Sequence, residues 1–171
     1  MHCNLSIGTL DEQVWRLTEP GTPHPRRRVE AVRRLNEAGI PCGVLVAPIL
    51  PGLSDGDDQL EEIVTACVEA GATSISPIAL HLRPGVRDHF LAWLRATRPR
   101  MAADYERRYR RSYLPSNEQA GLAERVRRFA DAARGPVRLS PPAGMRGLEA
   151  RGERSHLAPS SPPSRQLDLG L

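Results

Sequence analysis

The chain has 171 residues, 40% hydrophobic but only 4% aromatic, with a formal net charge of +4. All 24 basic residues are arginine, which excludes lysine Schiff-base chemistry and a P-loop. No stretch approaches the roughly 18 consecutive apolar residues of a membrane span, and the opening MHCNLSIGTL has neither the charged start nor the long apolar run of a signal peptide. A cytoplasmic protein is expected.

Three apolar, β-branched segments predict buried strands at residues 3–8, 43–50 and 73–82. Between the first two, residues 25–38 predict a helix that starts at Pro25, stops at Gly39 and buries Val29, Val32 and Leu35. Between the second and third, Leu60, Ile63, Val64, Cys67 and Val68 fall at i, i+3, i+4, i+7 and i+8 and mark one apolar helix face. Ser54 and Asp55 stand where its N-cap belongs. Strands alternating with helices imply βαβ crossovers and a parallel sheet. Functional groups then collect at the carboxyl ends of the strands, here residues 6–11, 47–55 and 79–85.

Beyond the third strand, residues 85–97 predict an amphipathic helix with Val86, Phe90, Trp93, Leu94 and Thr97 on one side. Residues 99–112 and 117–134 predict two more, the second buried through Leu122, Val126, Phe129, Ala130 and Ala133. From residue 135 the chain is rich in Pro, Ser, Gly and Arg without periodicity, which predicts a disordered tail. The expected organisation is an α/β partial barrel over residues 1–98, a helical extension over 99–134 and a tail over 135–171.

The ordered words SIGTLD, EPGTPHP with an arginine-bearing helix, AGIP, VLVAPILPGLSD and AGATSISPIALHL lie between residues 6 and 82, within a resemblance that extends over residues 4–134. In them the chain resembles the C-terminal half of radical S-adenosylmethionine (SAM) proteins, most closely the branch related to spore photoproduct lyase. The resemblance implies a partial parallel (β/α) half-barrel. In the family, SAM lies across the open end of the barrel, bound to a [4Fe-4S] cluster, and its reductive cleavage gives a 5′-deoxyadenosyl radical. By resemblance Ser6 would contact the ribose or methionyl end of SAM. Arg28 would meet the methionine carboxylate with Glu19 nearby, and Val46, Ala47 and Pro48 would wall the adenine.

Each has a purely structural reading as well: Ser6 satisfying a backbone group, Arg28 on a solvated helix face, Glu19 holding the turn before Pro20. The cluster of the family needs three thiolates spaced CxxxCxxC on one loop. Here Cys3, Cys42 and Cys67 are scattered, two in strands and one on the buried face of a helix, where cysteine acts as a small hydrophobe. The cluster loop and the first half of the barrel are thus expected from outside this chain. The open sheet edge would seat such an N-terminal half-barrel or a second copy.

Two further constellations stand apart. His81, at the carboxyl end of the third strand, and Arg83 two residues on are candidates to face a substrate. Residues 95–111 hold seven arginines against Asp104 and Glu106, a local sum of +5, with Tyr105, Tyr109 and Tyr113 every four residues. Arginines such as Arg107, Arg108, Arg110 and Arg111, alternating with tyrosine rings, suit single-stranded nucleic acid. The alternative function is therefore a non-catalytic nucleic-acid-binding module. The same tyrosine spacing also fits a stripe that packs the helix onto its domain.

Overall fold

The computed structural model describes residues 3–135. The elements follow as β1 (Cys3–Ser6), α1 (Glu12–Thr18), α2 (Pro25–Glu37), β2 (Cys42–Ile49), α3 (Asp57–Glu69), β3 (Ile75–Ala79), α4 (Val86–Thr97), α5 (Pro99–Arg108) and α6 (Ser116–Arg134). The expected tail, residues 136–171, lies outside the described residues. No described helix is long and apolar enough to cross a membrane.

The three strands form one parallel sheet in the order β1-β2-β3. Register runs Leu5–Val44–Ile75 in one row and Ser6–Leu45–Ser76 in the next. Because side chains alternate along a strand, these rows face opposite ways. Cys42, Val44 and Val46 are fully buried, in one core with Val29 and Val32 of α2, Leu60, Ile63 and Val64 of α3, and Val126 and Phe129 of α6. The other row leaves Asn4, Ser6, Ser76 and Ile78 exposed. Neighbouring strands in sequence order, with one face packed on helices and the other open and largely polar, make an α/β half-barrel. A doubly wound sheet would cover both faces.

Individual contacts fix the crossovers. Asn36 joins α2 to β2: its Nδ2 donates to the carbonyls of Val32 and Cys42, and its Oδ1 accepts from the Cys42 N–H at 2.9 Å. Gly43 sits beneath the Asn4 and Ser74 side chains, where a Cβ would meet Asn4 Oδ1 at 2.5 Å. Helices α4 and α5 extend the core at the carboxyl end of the sheet, where Phe90, Trp93 and Met101 pack against Leu50 and Leu53.

Several local expectations are corrected. Helix α1 was not foreseen: Asp11 caps it by accepting from Gln13 and Val14 N–H, and Val14 alone is buried. Helix α3 begins after Gly56 instead of Ser54 or Asp55, because both those side chains are committed within the preceding turn. Ser54 Oγ accepts from Leu50 N–H at 2.9 Å and Asp55 Oδ1 from Gly52 N–H at 2.6 Å. Val86, at the uncapped start of α4, is 58% exposed and stands outside the core. Helix α5 ends at Arg108, four residues short of the expected length.

Candidate functional site

The carboxyl ends of β1 and β2 bring together most residues assigned there by resemblance. Arg28, on the first turns of α2, reaches back under β1 with four hydrogen bonds. Its Nε donates to the Pro23 carbonyl at 3.1 Å and its Nη1 to the Ser6 carbonyl at 2.9 Å. Its Nη2 donates to Glu19 Oε2 at 2.7 Å and to Thr22 Oγ1 at 3.3 Å. The Arg28–Glu19 pair keeps only 14% and 17% side-chain exposure. Thr22 locks the turn further, donating to the Glu19 carbonyl and accepting from the Trp15 indole N–H. Arg28 is therefore neither a solvated arginine nor wholly free for a ligand. A guanidinium has five N–H donors, so one Nη1 hydrogen remains.

Ser6 lies on the open face, and its hydroxyl donates to the Ala47 carbonyl at 2.7 Å. That is the backbone-satisfying role, and it leaves the oxygen lone pairs available. Gly8 follows where three groups converge: a Cβ there would meet the Pro48 carbonyl at 2.9 Å, Glu19 Oε1 at 3.0 Å and the Ala47 carbonyl at 3.2 Å. Sequence reading did not single out Gly8, since its demand arises only when the two strand ends and the α1–α2 turn meet. Ala47 stands beside Ser6, and the Pro48 carbonyl stands over Gly8. Val46 stands apart: it is fully buried on the helix-covered face with Val44, so its side chain cannot wall a ligand on the open face.

The cysteines cannot hold a cluster together. Cys3 and Cys42 are register neighbours on β1 and β2, and Cys67 lies in the core on α3. Burial pushes the Cys67 thiol up to about 12. Burial, with the adjacent Cys3, pushes Cys42 up to about 11. Both are held as thiols, where a cluster needs thiolates. Among the described residues no three His, Cys, Asp or Glu side chains converge to hold a metal ion.

The arginine-rich segment divides sharply. The rings of Tyr105 and Tyr109 are fully buried and stacked on each other at 5.4 Å, and the Tyr105 hydroxyl donates to the Pro51 carbonyl at 2.9 Å. Burial raises both phenol pKa values. These two are the packing stripe, and their faces are closed to bases. Arg107 pairs with Asp104 at 2.5 Å, and Arg108 with Glu118 at 2.5 Å and Asp104 at 3.3 Å. Arg110 and Arg111 are exposed and form no ion pair among the described residues. Because α5 ends at Arg108, Tyr113 leaves the stripe and stacks on His81, ring centroids 3.8 Å apart. Arg83 is exposed on the adjoining loop.

No family model and no solved structure matches this chain. It is similar to uncharacterized proteins of Mycobacterium bovis and Mycobacterium tuberculosis, 37% identical over 123 residues, which cover 71% of this chain and 36% of each relative. An uncharacterized protein of Acidianus two-tailed virus is 35% identical over 82 residues, 46% of this chain and 27% of that protein. The chain thus spans about a third of the length of the mycobacterial relatives it matches.

Proposed function

We propose that this chain is the SAM-side half of a radical SAM protein related to spore photoproduct lyase, working in the cytoplasm with an N-terminal half-barrel that carries the CxxxCxxC cluster loop. The observation that carries this reading is the convergence of Ser6, Glu19, Arg28, Ala47 and Pro48 at the carboxyl ends of two adjacent parallel strands. That convergence stands beside an open polar sheet face and an outer edge of β1 that has no strand partner among the described residues. The resemblance in the ordered sequence words adds to it, and the length of the mycobacterial relatives leaves room for the other half.

The residues suit one side of a SAM pocket. The free Nη1 hydrogen of Arg28 can meet a carboxylate oxygen, while its other donors and Glu19 hold the guanidinium in place. Ser6 Oγ, its own hydrogen spent on Ala47, can accept from a ribose hydroxyl. Ala47 and Pro48 offer backbone and a small apolar wall. SAM bound to a reduced cluster would supply the radical; the cysteines of this chain do not fit that cluster.

Equilibrium dialysis with radiolabelled SAM tests the reading, on the chain alone and co-expressed with a CxxxCxxC-bearing half-barrel. Weak or no binding alone, binding in the pair, and loss of that binding in Ser6→Ala are expected. Anaerobic assembly of a stable iron–sulfur cluster on the isolated chain, or no SAM binding by the pair, would overturn it.

A further inference from the structure

The sequence spacing puts Tyr113 in one stripe with Tyr105 and Tyr109, yet Tyr113 occupies a different place, together with Arg110 and Arg111. They line a cleft of about 770 Å³ between the end of α5 and the start of α6. The acid that lines this cleft, Glu118, is already committed to Arg108, and Asp104 outside it pairs with Arg107 and Arg108. Arg110 and Arg111 therefore contribute two uncompensated positive charges among the described residues. The 19-residue helix α6 opens at the same cleft with Pro115 as its N-cap and no side-chain acceptor, so its positive end adds to that field.

Tyr113 connects this cleft to a second one of about 480 Å³, which it lines with His81, Ile78 and Gln119. One face of its ring lies on the His81 imidazole at 17° between planes, while the side chain remains 58% exposed. The platform is anchored from below: Leu82 N–H donates to the Ser112 carbonyl at 2.8 Å, joining the segment before Tyr113 to the loop after β3. A supported aromatic ring left open beside unpaired arginines has the chemistry of a base-stacking platform next to phosphate contacts.

We propose that this cleft binds single-stranded nucleic acid, with Arg110 and Arg111 on phosphates and a base stacked on Tyr113. A duplex keeps its base faces inside the stack, and an acidic peptide would leave the ring unused. The site is independent of the SAM-side reading, because it shares no residue with Ser6, Glu19 or Arg28 and its assay contains no SAM.

The test is fluorescence anisotropy with the full chain and a labelled oligothymidylate of roughly 12 nucleotides, from about 50 to about 200 mM salt. Arg110→Ala/Arg111→Ala should weaken binding about tenfold at the low-salt end and flatten the slope of log affinity against log salt by about 1.4. Tyr113→Ala should weaken it at least about fivefold, and Tyr113→Phe should restore it. Circular dichroism should be unchanged, since all three side chains are exposed. Equal affinity for wild type and the double-arginine variant overturns the proposal. So does tighter binding to a duplex than to the single strand, or indifference to Tyr113→Ala, which would reduce the cleft to a polyanion patch.

Discussion

Replacing Arg28 with alanine removes the residue that ties α2, the α1–α2 turn and β1 together. The variant loses the 2.7 Å ion pair to Glu19 and the hydrogen bonds to the Ser6 and Pro23 carbonyls. Removing one partner of a fully buried pair costs about 3–5 kcal/mol, mostly for the charge left behind. Here the side chains retain 14% and 17% exposure, so water can partly solvate Glu19, and the two carbonyls lie near enough to solvent to regain donors. A cost of about 2–3 kcal/mol follows. With a urea slope of about 2 kcal/mol per molar, the midpoint should fall by roughly 1 M. Glu19→Gln should cost less, about 1–2 kcal/mol, because Arg28 keeps its carbonyl acceptors. The double variant should cost less than the sum, with about 1 kcal/mol or more of coupling. The assay is urea unfolding followed by far-ultraviolet circular dichroism on the full chain. Additive single effects, each within about 0.5 kcal/mol of wild type, would refute the bracing role.

The two core tyrosines should respond oppositely to losing a hydroxyl. Tyr105→Phe strands the buried Pro51 carbonyl and should destabilise by about 1 kcal/mol, whereas the buried Tyr109 hydroxyl has no partner among the described residues. Tyr109→Phe should therefore be neutral or stabilising in the same unfolding assay. Gly8→Ala should cost about 1–3 kcal/mol, because its Cβ would press on the Pro48 and Ala47 backbone carbonyls. Gly43→Ala should cost less, since its nearest obstacles are the side-chain ends of Asn4 and Ser74. The raised Cys42 and Cys67 thiols give an alkaline dependence. The folded state holds their protons more tightly than the unfolded one, so stability is full below pH 9 and falls as pH rises toward about 11 and 12. A loss of about 1 kcal/mol by pH 10 is expected for Cys67, and Cys67→Val should remove that part; a flat profile between pH 8 and 10 would contradict it.

Much of the architecture was legible because the strands are runs of Val, Ile and Leu and the helices carry one apolar face. The face of α3 emerged as read, from Leu60 to Cys67. Helix α1 escaped because seven residues with one buried side chain carry almost no periodicity; only the Asp11 cap could have signalled it. Ser6, Glu19 and Arg28 are assigned to the candidate site by resemblance, and the structure brings them together through hydrogen bonds that spacing does not predict. Val46 was misplaced by one step of strand alternation, enough to send it to the opposite face. The tyrosine stripe was right for two positions of three. Its failure at Tyr113 follows from α5 ending at Arg108, and the His81 partner, far away in sequence, becomes a neighbour only through the packing of α6 on β3.

The proposed N-terminal half-barrel would pair with the outer edge of β1, the first strand of the three-stranded sheet. Cys3 and Ile7 N–H point to the β2 side, donating to the Pro41 and Leu45 carbonyls, so by alternation the Asn4 and Ser6 amides point outward. Hydrogen exchange at those two amides is the direct measurement. They should exchange rapidly in the chain alone and become protected when a CxxxCxxC-bearing half-barrel is added. Protection that is unchanged by that partner, or that already grows with the concentration of this chain by itself, would contradict the claim.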